Sequence, residues 1–179
     1  MDIIRVKDRD FKLFLPKETI TARIAETAQR INEELAGKNP LFLAVLNGSF
    51  MFAADLMKQI TIPCEISFIK LASYEGMQQG GKVREVFGLS ERIDGRTVVI
   101  IEDIVDSGRT MQQLLDSLNT RNPAEIHIAT FLFKPAALSC PLTLDYVAFE
   151  IPNDFVVGYG MDYDGFGRNL DQVYTVIPW

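Results

Sequence analysis

The sequence predicts an α/β fold: a mostly parallel, twisted sheet flanked by helices. Three observations predict it. Apolar runs of strand length alternate with segments whose apolar residues recur at helical spacing. The runs at 41–46 (LFLAVL) and 98–101 (VVII) are apolar throughout, as strands buried on both faces are. No repeat, low-complexity segment or linker breaks the 179 residues, so 1–179 reads as one domain.

The elements follow in order. Over 17–35, Ile20, Ile24, Ala28, Ile31 and Leu35 mark an amphipathic helix, with Pro16 before it and Gly37 as its stop. Strand 41–46 runs into Asn47, Gly48 and Ser49, then into a helical run with Phe50, Ala53, Ala54, Leu56 and Met57. That glycine loop is either a second anion site or an ordinary βα turn. Ile66, Phe68, Ile69 and Leu71 mark a strand over 63–72. From 73 to 88 the periodicity fails and glycines accumulate, which suits a long loop, either a lid or plain surface. A helix over 110–119, a break at Asn122-Pro123, and strands at 125–133, 144–149 and 173–177 complete the pattern.

Composition narrows the function. A net charge of −6 argues against nucleic-acid or anionic-membrane binding, which needs a basic face. No apolar run reaches a membrane span and the N-terminal residues lack a signal pattern, so a cytoplasmic protein is expected. Cys64 and Cys140 lack metal or redox spacing and read as free thiols. The single histidine, His127, lies in an alternating stretch and reads as a strand residue.

The chemistry concentrates in VVIIEDIVDSGRT, 98–110. A strand here ends in acids and turns through glycine into a helix. Amides at a helix start face an anion, and the helix dipole favours negative charge there. The acids cannot themselves bind phosphate, so they must serve hydroxyls, a metal or a proton. The 47–49 loop, this turn, Lys134 and the segment around Phe155 all follow strands, so they should converge on one sheet edge. Together they suit a phosphorylated ribose with a second phosphate group, plus a flat base. Neither GxxxxGK[ST] nor GxGxxG is present.

EDIVDSGRT, 102–110, resembles the phosphoribosyl-pyrophosphate motif of the type I phosphoribosyltransferases. FEIPNDFVVGYGMDYDGFGRNL, 149–170, resembles the base-binding end of the hypoxanthine-guanine phosphoribosyltransferases. The resemblance spans nearly the whole chain and implies a type I phosphoribosyltransferase fold with a small base-binding hood. It implies a purine-salvage glycosyltransferase that uses phosphoribosyl pyrophosphate, a 6-oxopurine and Mg²⁺, and assembles as a homodimer or homotetramer. It implies that Glu102 and Asp103 hold the ribose hydroxyls and help position Mg²⁺. Asp106 becomes the general acid or base near purine N7. Ser107, Gly108, Arg109 and Thr110 would cradle the 5′-phosphate. Leu46, Asn47 and Gly48 would line the pyrophosphate loop, with a cis peptide between the first two. Asn47 stands where many relatives carry Lys or Arg, so that contact would run through backbone. Ser73 and Tyr74 would root the lid. Lys134 would donate to the purine O6, Phe155 stack on the base, and the Val156 backbone read its edge. Asp162 would join a second Mg²⁺ site, and Arg168 would reach the pyrophosphate. A regulator that senses the same sugar and binds nucleic acid is the competing class, and the acidic charge argues against it.

Overall fold

The computed structural model describes residues 2–73 and 84–178. In chain order its elements are β1 (Ile3–Val6), β2 (Arg9–Leu15), α1 (Lys17–Glu34), β3 (Leu41–Leu46), α2 (Phe50–Met57), β4 (Glu65–Ser73) and β5 (Arg84–Phe87). Then follow β6 (Thr97–Val105), α3 (Arg109–Asn119), β7 (Glu125–Phe133), β8 (Tyr146–Glu150), β9 (Val156–Val157) and β10 (Val173–Val176). The main sheet has the order β5-β4-β3-β6-β7-β8. Its strands from β4 to β8 run parallel, and β5 pairs antiparallel on the edge.

The apolar runs sit where parallel strands demand them. Leu41, Phe42, Leu43 and Ala44 are wholly buried in β3, as are Val98 to Ile101 in β6. Side-chain alternation divides each run between two cores. On one face α1 and α2 bring Ile24, Ile31, Phe52 and Leu56 against Phe42, Ala44, Val99 and Phe131. On the other, α3 brings Met111, Leu114 and Leu118 against Leu43, Val98, Ile100 and Ile128. The chain therefore covers opposite faces as it leaves β3 and β6, which are neighbours. That is a topological switch point, where ligands of open α/β sheets bind.

A second, antiparallel sheet of order β1-β2-β10-β9 stands apart, around Val6, Phe11, Val157 and Tyr174. The sequence reading assigned nothing to its N-terminal hairpin, which supplies half of it. A second correction concerns 73–88, read as loop throughout. Residues Arg84–Phe87 instead form β5, whose register against β4 runs from Lys70↔Phe87 to Ser73↔Arg84. The lid expected over the site and its root residue Tyr74 fall outside the described residues. Ser73 is the last residue of β4. His127 is a strand residue as expected, and it also bridges Asp145 and Glu125 at 3.2 and 3.1 Å. Both cysteines are free. No helix of the described residues is long and apolar enough to cross a membrane.

Candidate active site

The opening at the switch point can be read from the ladders. The β3–β6 pairing stops at Ala44↔Ile101, while β6 continues beside β7 to Val105↔Phe133. Past Ile101, β6 parts from β3, and the residues beyond it are those the motif singled out.

Glu102 is 7% exposed, and its Oε1 accepts the Asp103 N–H at 3.0 Å. Asp103 Oδ1 in turn accepts the Ile104 N–H at 2.8 Å. Backbone N–H groups thus orient both carboxylates in the last residues of the strand. Asp106 lies beyond the strand, with its carboxylate open to solvent. Lys134, 8% exposed at the exit of β7, brings its Nζ to 3.6 Å from Asp106 Oδ2. The Lys134 N–H also donates to the Val105 carbonyl at 3.0 Å, which ties the two strand exits together. Between Asp106 and α3, Ser107 and Gly108 form the turn, and the first turn of α3 carries no acid that would compete with an anion.

The 47–49 loop packs tightly behind this array. The Leu46–Asn47 peptide is cis. A Cβ on Gly48 would lie 1.8 Å from Asp103 Oδ2, and a Cβ on Gly160 would lie 2.1 Å from the Gly48 carbonyl oxygen. Only bare backbone fits between the two acids' strand and the hood at this point. The next residue, Ser49, has its hydroxyl fully buried without a hydrogen-bond partner among the described residues.

The hood supplies the opposite wall. The Phe155 ring is 46% exposed, with one side backed by Phe11 at 6.3 Å and Tyr163 at 5.9 Å between ring centroids. Val156 is buried in β9 opposite Thr175. Tyr159 fastens this segment to α2 by donating its hydroxyl to Asp55 Oδ2 at 2.5 Å. Burial, and then that bond, push the Tyr159 phenol well above its usual range, so it stays a donor. Asp162 accepts the Gly165 N–H at 2.8 Å and pairs with Arg168 Nη2 at 3.0 Å. Arg168 Nη1 donates to the Gly160 carbonyl at 2.8 Å.

Asp103, Asp106, Lys134, Phe155, Val156 and Asp162 thereby line one cavity of about 170 Å³. Ile104 and Met161 line it too, and the sequence reading did not single them out. Each is an apolar residue next to one acid, Asp103 or Asp162, a pattern that locally says nothing about facing a ligand. Leu46, Asn47, Gly48, Glu102, Arg168 and residues 107–110 are not among the residues that line this cavity. Clefts of about 460 and 380 Å³ run along α1 and α2 beside Lys17 and Lys58. Size alone would favour them, but those lysines are already paired with Asp171 and Asp55. The smaller cavity is where a phosphate-type turn, carboxylates, a cation and an open aromatic face meet.

Phe11 and Tyr163 are further site residues that sequence reasoning missed. Phe11 sits in the unassigned hairpin, and only the β2–β10 pairing brings it behind Phe155.

Comparison with known proteins identifies the family. Residues 14–164 match the family model described as a phosphoribosyl transferase domain. A hypoxanthine-guanine phosphoribosyltransferase of Mycobacterium avium is 40% identical over 173 residues, covering 93% of this chain and 85% of that one. One from Streptococcus thermophilus is 38% identical over 163 residues, covering 90% and 91%. A crystal structure of a hypoxanthine-guanine phosphoribosyltransferase from Bacillus anthracis, with HEPES in its active site, superposes with a TM-score of 0.87 at 33% identity. It covers 97% of this chain and 100% of that one. The chain belongs to the phosphoribosyltransferase family, among its hypoxanthine-guanine members.

Proposed function

We propose that this protein transfers the 5-phosphoribosyl group of phosphoribosyl pyrophosphate to N9 of hypoxanthine or guanine, giving IMP or GMP and pyrophosphate. The observation that carries this reading is the cavity in which Asp103, Asp106, Lys134 and Phe155 face one another beside the glycine turn. The α3 start accepts the 5′-phosphate, with Ser107, Gly108, Arg109 and Thr110 around it. Glu102 and Asp103 accept hydrogen bonds from the ribose 2′ and 3′ hydroxyls. Leu46, Asn47 and Gly48 hold the pyrophosphate through backbone. Phe155 stacks on the purine with its free face, and the Val156 backbone meets the purine edge.

Lys134, a donor with no acceptor lone pair, favours a 6-oxo group over the amino group of adenine. Asp106 moves the proton at N7 as N9 takes the ribosyl carbon. Arg168 and Asp162 are paired in this state, and the pyrophosphate recruits the guanidinium when it arrives.

Mg²⁺ fits the residues present. Glu102 and Asp103 offer hard carboxylate oxygens, yet no cluster of three or more candidate ligands exists among the described residues. Mg²⁺ is commonly held by one or two carboxylates with substrate phosphates and waters. This donor set suits an ion that enters with the pyrophosphate, with Asp162 beside a second position. Held by these carboxylates, it would supply charge neutralisation for the leaving pyrophosphate. A homodimer or homotetramer in the cytoplasm goes with this reading, and the two free thiols suit a reducing compartment.

The test is kcat/KM measured with hypoxanthine, guanine, xanthine and adenine. Hypoxanthine and guanine are expected to exceed adenine by at least about 10³-fold, since a mismatched polar edge leaves buried groups unpaired. A preference for adenine overturns the reading. A preference for xanthine keeps the chemistry and changes the substrate.

A further inference from the structure

The connection leaving β7 begins at Lys134, passes through a single 3₁₀ turn at Pro135–Ala137, and runs past the start of α3. Its residues Ser139 and Cys140 have no part in the site as described so far. Both aim their donors at a single acceptor inside it. The Ser107 carbonyl accepts the Ser139 N–H at 3.0 Å, the Ser139 hydroxyl at 3.2 Å and the Cys140 thiol at 3.5 Å. The same segment closes on the next residue. A Cβ at Gly108 would lie 2.8 Å from Leu138 Cδ1 and 3.0 Å from Cys140 Sγ.

This bonding has a directional consequence. In a trans peptide the C=O and N–H point to opposite sides. Drawing the Ser107 oxygen toward Ser139 and Cys140 therefore turns the Gly108 N–H the other way, ahead of α3, where the first-turn amides also face. Gly108, at φ +81°, lacks the Cβ that would resist rotation of that peptide. A flipped peptide would present a carbonyl oxygen to the incoming anion. Something must choose the orientation, and these three donors do so.

We propose that Ser139 and Cys140 are positioning residues for the 5′-phosphate: they hold the Ser107–Gly108 peptide with its N–H toward the anion. The inference rests on the phosphoribosyltransferase reading above. It makes the exit of β7 serve both halves of the substrate, with Lys134 at the purine and the next few residues behind the phosphate turn.

The test compares binding of inosine 5′-monophosphate and inosine, which differ only in the phosphate, by titration calorimetry on the full chain. Wild type is expected to bind the nucleotide far more tightly. The S139A/C140A variant is expected to lose about five- to tenfold in nucleotide affinity, since two of three hydrogen bonds go while the Ser139 N–H remains. Inosine affinity should not change. Cys140→Ser, which keeps a donor, should stay within about twofold of wild type. Unchanged nucleotide affinity in the double variant overturns the proposal. So does equal weakening of nucleotide and nucleoside, which marks a general structural loss. If wild type binds neither compound, the phosphoribosyltransferase reading itself falls, and this inference with it.

Discussion

In the proposed function Asp106 and Lys134 would divide the purine's edge between them. One is an open carboxylate, the other a nearly buried ammonium, and they stand 3.6 Å apart on adjoining strand exits. Before substrate arrives, the lysine's nearest carboxylate is the group proposed to move the N7 proton. On the proposed reading, a purine with an O6 acceptor would give Lys134 a second partner and leave Asp106 for N7. Replacing Asp106 by Asn keeps the size and removes the base. We expect kcat with hypoxanthine to fall about 10²-fold or more, within the ordinary worth of general acid–base catalysis, with smaller changes in KM. Steady-state kinetics at saturating phosphoribosyl pyrophosphate check this. Near-normal kcat would remove Asp106 from its role. In this reading the substrate-facing residues at 102–110 were legible in sequence because motif, glycine and charge coincide there, and those at 155–168 because of the longer second motif. Ser139 and Cys140 were not, because a serine and a cysteine in a proline-flanked loop give no local sign that they face one carbonyl.

At the scale of elements, the helices and parallel strands were legible because each carries its own periodicity. Strand β5 was not: four residues, REVF, follow a glycine-rich run, and its partner lies across that run. The β1–β2 hairpin was not either. Its strands are short and mix charge with apolar residues, and their packing depends on β10 from the far end of the chain. Yet this hairpin supplies Phe11, which is wholly buried and supports both Phe155 and Tyr163. Phe11→Ala should cost about 3–5 kcal/mol in the hood, the usual loss for a buried phenylalanine. Because Phe155 loses its backing, KM for hypoxanthine should rise more than KM for phosphoribosyl pyrophosphate. Thermal unfolding together with the two KM values tests the pairing of effects. A stability loss with both KM values unchanged would separate Phe11 from the site.

Across the whole molecule, acids stand at both ends of the main sheet. Asp103 and Asp106, at the exit of β6, line the candidate site. At the opposite end Glu125 joins β7 to its surroundings through Lys38, Thr97 and His127. The bond from the Lys38 ammonium chiefly holds its carboxyl down at about 2, against the opposing effect of burial, with Thr97 and His127 helping. An acid depressed in this way stabilises the folded chain above its ordinary value of 4.5. Below that value the unfolded chain binds a proton that the native one refuses, so the contribution drains away as pH falls from 4.5 toward about 2. Glu125→Gln should lower stability at neutral pH and flatten the acid limb across that window. Urea midpoints from about pH 7 to about pH 2 measure both. A parallel offset at every pH would mean that Glu125 contributes through shape alone.

The hood's strand order has one more consequence, for the order in which the protein is made. Among the described elements, β1 and β2 leave a ribosome first, and β10, which must lie against β2, leaves last. The six-stranded sheet, with the acids and glycine turn that follow β6, has all its strands once Glu150 is out. Pairing between β2 and β10 spans nearly the full chain, and such contacts carry a high loop-closure cost until the sheet has drawn their ends together. The six-stranded sheet can thus assemble first, and β2 waits for β10 before the second sheet is complete.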